Sequence, residues 1–114
     1  MRRSILFAAV VLLIGCATDR YEWSMAHLDI SPRAKKLPRP ELEQIVKLVI
    51  DATSSTVLAV GQSCDSKSGV FRVIVDYQPD RYMIYDVKKI GGQWKITHFE
   101  DASPTLTMLF GDLC

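Results

Sequence analysis

The chain is poor in the residues and patterns that most chemistry requires. It holds two histidines and three cysteines in 114 residues. No C-x-x-C occurs, which removes the usual signature of a dithiol oxidoreductase. There is no G-x-S-x-G, S-x-x-K or H-E-x-x-H, and no phosphate-binding glycine loop. Hydrolase, metalloprotease and nucleotide signatures are therefore absent. A nucleophile and its base can lie far apart in a chain, so a dispersed site stays open. Charge of one sign is missing too. There are 14 Lys and Arg against 13 Asp and Glu, and Arg2 and Arg3 account for two of the cations. A nucleic-acid binder shows a strongly basic face, and this balance argues against one. No apolar run reaches the roughly 20 residues that a bilayer span needs. No internal repeat is present.

What is there begins with a leader. Met1-Arg2-Arg3 is a short cationic start, and Ile5 to Ile14 carry no charge and no proline. A basic start and an apolar stretch of this length fit an export signal. The exit is not the A-x-A-like pattern of ordinary signal cleavage. It reads Leu13-Ile14-Gly15-Cys16, then turns polar. That resembles the lipobox of bacterial lipoproteins. The resemblance implies removal of residues 1–15, a diacylglycerol on the Cys16 sulfur and an acylated new amine. One acyl chain anchors only marginally, whereas two or more hold firmly. Lipoproteins retained in an inner membrane commonly carry aspartate after the cysteine. Ala17 stands there instead. In a host with two membranes, the resemblance implies the outer membrane, periplasmic side.

With Cys16 assigned, Cys64 and Cys114 remain. An even pair in an exported chain reads as a disulfide. It would close a loop of roughly 50 residues and stabilise the fold by about 4 kcal/mol on the chain-entropy estimate. Free thiols or an intermolecular bond are the alternatives.

Residues 16–39 read as a lipidated tether. Ser31 to Pro40 holds three prolines and four cations. Proline removes backbone donors and blocks helix, so an extended spacer is expected. Its cations Arg33, Lys35, Lys36 and Arg39 suit a solvated linker or anionic head groups. Tyr21, Trp23 and Met25 suit either the membrane interface or packing on the domain.

Residues 40–114 read as a small α+β domain. Pro40 suits a helix start, and Glu41 and Glu43 suit its positive end. Leu42, Ile45, Val46, Val49 and Ile50 then repeat at the spacing of one buried helix face. Strand patterns follow over Thr56 to Val60, Val70 to Tyr77, Tyr82 to Ile90 and Gln93 to Phe99. Gly91-Gly92 is a two-residue hairpin signal. It sets Ile90 opposite Gln93, Val87 opposite Ile96 and Tyr85 opposite His98. Met83, Tyr85 and Val87 should then face the helix with Trp94, Ile96 and His98. Ile84, Asp86 and Lys88 should share a wetter face with Lys95, Thr97 and Phe99. Residues 103–111 suit a short helix, capped by Ser103, or a fifth strand.

The sum is one N-terminal helix packed on an antiparallel sheet of about four strands. In element order, residues 40–100 resemble cystatin-like and NTF2-like domains. The Q-x-V-x-G hairpin of cystatin inhibitors is missing, so no inhibitory site carries over.

Tyr85, Trp94 and His98 form the one candidate ligand pocket, with tyrosine and histidine able to exchange protons. The plainer reading is a histidine packed at the core edge. His98 and Glu100 share a strand face, yet no third metal ligand accompanies them. His27 and Asp29 are weaker metal candidates. No cofactor and no metal are expected. The leading expectation is a non-catalytic protein-binding or assembly module of an envelope complex of secretion, conjugation or pilus type. Its partners would be the membrane, through the lipid, and another envelope protein. One alternative is an inhibitor or exclusion lipoprotein that uses the Ser63 to Gly69 loop. Another is a small-ligand binder.

Overall fold

A computed structural model describes residues 19–62, 69–78, 81–102 and 113–114. Helix α1, described over residues 19–27, leads into strand β1 (Asp29–Ile30). A 3-10 turn (Ala34–Lys36) precedes helix α2 (Arg39–Thr53). Strands β2 (Thr56–Gly61), β3 (Val70–Gln78), β4 (Arg81–Ile90) and β5 (Gln93–Ala102) follow. They form one sheet in the order β1-β2-β3-β4-β5. β1 runs parallel to β2, and every other pair is antiparallel. The fold is α+β with a mixed five-stranded sheet and two helices. The expected four antiparallel strands and one helix thus lacked β1 and α1.

Helix α2 forms where its spacing predicts. Leu42, Ile45, Val46, Val49 and Ile50 are all buried. They meet Val57 and Val60 of β2, Phe71, Val73 and Val75 of β3, and Val87 of β4. Fully burying an aliphatic side chain is worth about 1.5–3 kcal/mol, so this layer dominates the stability. The helix stops at Ser54, whose φ of 54° is left-handed and whose N–H returns to the Ile50 carbonyl at 2.8 Å. The Arg20 guanidinium donates to the Ser54 carbonyl at 2.7 Å. A cation there suits the negative end of the helix.

Residues 19–39 correct the expected spacer. They fold onto the domain. Tyr21, Met25 and Leu28 recur at i, i+4, i+7 and pack on the core, as an amphipathic helix does. Ser24 is fully buried, and its hydroxyl accepts the Val57 N–H at 3.1 Å. Asp29 and Ile30 pair with Ala59 and Val60, and Ala34 is buried in the core. The prolines mark boundaries rather than a rod. Pro32 ends β1, Pro38 precedes α2, and Pro40 sits in the first turn of α2.

The Gly91-Gly92 hairpin is present, with φ values of 60° and 81° that a side chain would oppose. Ile90 pairs with Gln93 and Val87 with Ile96, as the turn dictates. The next expected pair fails. The register shifts between Asp86 and Val87, so Asp86 faces His98 and Tyr85 faces Phe99. Thr97 is the extra residue, and its hydroxyl donates to the Asp86 carbonyl at 3.3 Å. A bulge of this kind moves every later side chain to the opposite face.

The far face of the sheet also departs from expectation. Ala59, Ile74 and Ile84 are buried there as a second cluster, with Leu58, Tyr82 and Leu113 against them. Ile84, expected on a wetter face, is buried; the face is wet only nearer the hairpin, where Lys88 and Lys95 are exposed. Leader residues 1–15, Cys16, Cys64 and the helix-or-strand expectation over 103–111 lie outside the described residues.

Candidate functional site

The expected pocket does not assemble. Tyr85 and Trp94 lie on the helix-facing side of the sheet, packed against the core. The bulge turns His98 to the other face, opposite Asp86, where it is exposed. Asp86 there pairs with Arg72 at 3.5 Å. The place expected for His98 beside Tyr85 is taken by Phe99, whose ring stacks on Tyr85 with centroids 5.9 Å apart.

Trp94 has a different set of neighbours. Its indole N–H donates to the Glu41 carboxylate in the first turn of α2. The other oxygen of that carboxylate meets Lys89 Nζ at 2.6 Å. Lys89 Nζ also lies 6.0 Å from the Trp94 ring centroid, and Phe71 meets the ring edge-on at 5.7 Å. The hydrogen bond from Lys89 holds the Glu41 carboxyl below the usual range. The Trp94 bond and the Lys89 charge add to this, and partial desolvation opposes it. This cluster ties α2 to the β4–β5 hairpin. Both oxygens of the Glu41 carboxylate are engaged by these contacts.

Beside it, a groove of about 480 Å3 runs along α2, lined by Tyr21, Pro40, Glu43, Lys47 and Asp51 among others. Burial raises the Tyr21 phenol pKa, the Glu43 carboxylate raises it further, and Arg39 opposes. Arg39 and Glu43 bridge at 3.3 Å along one helix edge. The groove's mixed charges mark no preference for one sign of ligand. Among the described residues, no group of three His, Cys, Asp or Glu could hold a metal.

Two exposed features remain. The first is β5. It is ten residues long, and among the described residues it pairs with β4 alone. Phe99, 62% exposed, projects from it. Such an edge offers unpaired backbone groups to an added strand. The second is the outward stripe of α1. Trp23 is 47% exposed and stacks on His27, with centroids 4.3 Å apart. His27 Nδ1 lies 3.0 Å from the Trp23 carbonyl oxygen.

Sequence reasoning missed the Glu41–Trp94–Lys89 cluster, because nothing local joins residues so far apart. It missed Phe99, because no residue type announced the bulge. The Trp23–His27 pair was legible from i, i+4 spacing, but the neighbouring prolines outweighed that signal. Among described residues, no helix is long and apolar enough to cross a membrane. Comparison with protein-family models, with curated proteins and with solved structures yields no match to this chain.

Proposed function

We propose that this is a lipid-anchored lipoprotein of the outer membrane, periplasmic side, whose domain binds another envelope protein without catalysis. The order of basic start, apolar run, Gly15 and Cys16 supports the anchor. The β5 edge carries the binding reading. A ten-residue strand with one neighbour among the described residues can accept a partner strand through main-chain hydrogen bonds. Phe99 then supplies an apolar anchor next to the added strand, backed by the Tyr85 ring. Lys95, Glu100 and Asp101 flank it with mixed charge, which limits indiscriminate edge pairing.

Crosslinking pulldown from intact cells tests this reading. A reproducible envelope protein should be recovered with the wild type. It should fade with Phe99→Glu, a change at an exposed position that leaves the melting temperature near the wild type. It should fade again with Cys16→Ser. Failure to recover any reproducible partner from crosslinked envelopes overturns the reading.

A further inference from the structure

We infer that the domain lies directly on the phospholipid surface, with the exposed Trp23–His27 face of α1 as its contact face. The inference rests on acylation of Cys16 and deepens that reading. Its first support is chain length. A tether extended from Cys16 to Arg39 would reach about 80 Å at 3.3–3.6 Å per residue. The folded chain is instead already helical at Asp19. Only Ala17 and Thr18 separate the acylated cysteine from it, a reach of about 10 Å. Trp23 is one helical turn further on, about 6 Å of rise. The head-group layer is itself several ångströms deep on each side. An anchored domain therefore cannot hold α1 far from the lipid.

The second support is the character of the stripe. Tyr21, Ser24, Met25 and Leu28 point into the domain. Asp19, Glu22, Trp23, Ala26 and His27 are exposed away from them, with Trp23 and His27 the aromatic part of that face. Indole is amphipathic and favours the boundary between head groups and acyl chains. The His27 stack and contact fix the Trp23 ring before docking, so little side-chain freedom is lost on contact. Because Ser24 binds the β2 backbone, α1 cannot swing away from the sheet. Docking α1 thus orients the whole domain. The β5 edge lies four strand spacings from β1, about 19 Å across the sheet.

The test uses mature protein purified from membranes and placed in vesicles of phosphatidylethanolamine and phosphatidylglycerol with brominated acyl chains. Bromine quenches a nearby indole, and this chain has only Trp23 and Trp94. The expected result is loss of most Trp23 emission with a blue shift of what remains. Trp23→Phe, a tolerated change at an exposed position, should leave Trp94 emission insensitive to bromine. If the protein floats with the vesicles and shows no quenching, the docking inference is overturned and the anchor stands. If the mass of the mature amino-terminus shows no acyl chains, the anchor reading falls and this inference falls with it.

Discussion

Glu41 and Trp94, 53 residues apart, are joined by a hydrogen bond from the indole to the carboxylate, and Lys89 closes the same carboxylate from its other oxygen. The bond pins the first turn of α2 to the β4–β5 hairpin. It also ties stability to pH. Lys89 and Trp94 lower the folded-state pKa of Glu41. A group whose folded pKa is lowered stabilises above its unfolded value, near 4.3 for glutamate. That contribution is lost as pH falls through the folded value. Thermal melts from neutral to acid should therefore show the wild type losing stability relative to Glu41→Gln below about pH 4.3. Parallel curves for the two proteins across that window would show that the ion pair does not feed into folding.

Gly61 closes a tight crossing. A Cβ there would lie 2.7 Å from Ser31 Oγ and 3.0 Å from the Leu113 Cβ. The Ser31 hydroxyl is buried and has no hydrogen-bond partner among the described residues. It can rotate, but the Ser31 and Leu113 Cβ atoms cannot give way so readily. Gly61→Ala should destabilise by about 1–3 kcal/mol, as overpacking does. Urea unfolding with an unchanged slope and a lowered midpoint would report it. Gly61→Ala with a wild-type midpoint would mean that the strands part without strain.

A second cluster lies under the far sheet face. Ile74 is fully buried there, although the alternation of β3 sets it between Arg72 and Asp76. Ile74→Ala should cost about 2–5 kcal/mol, the range for truncating a core isoleucine. Ile90→Ala, at a 46% exposed position, should stay within about 0.5 kcal/mol. Equal effects from the two would mean that the face is wet along its whole length.

These cases show what could be read in advance. The face of α2, the Gly91-Gly92 turn and the first two pairs of its hairpin were legible, because each depends on residues close in sequence. Periodicity along a helix and the positive φ of a tight turn are local facts. The pocket of Tyr85, Trp94 and His98 was lost two pairs further on. One extra residue, Thr97, reversed the face of everything after it. Nothing about a threonine demands a bulge, so the error lay in tertiary pairing and not in the strand pattern. Residues 19–39 failed for the opposite reason. Three prolines outweighed a Tyr21–Met25–Leu28 stripe that only packing could vindicate. The second cluster was hidden because Ile84 alternates with Asp86 and Lys88, and Ile74 with Arg72 and Asp76, which is the pattern of a polar face.

The N–H of Cys114 donates to the Gln62 carbonyl, and the Cys114 carbonyl accepts the Arg33 N–H at 3.1 Å. Cys114 is thus stitched between the segment after β1 and the end of β2. Gln62 stands two residues before Cys64 in the sequence. That proximity supports the proposed bond between Cys64 and Cys114, which would constrain a loop of roughly 50 residues in the unfolded chain and contribute about 4 kcal/mol. Mature protein from an oxidising compartment should take up no alkylating reagent until it is reduced. Reduction should lower the melting temperature, and Cys114→Ser should lower it by the same amount. Cys64→Ser combined with Cys114→Ser should then cost no more than either change alone, because both remove one bond. Ready alkylation of both thiols in the unreduced native protein would refute the pairing. The hydrogen bonds of Cys114 and the packing of Leu113 would then hold this segment.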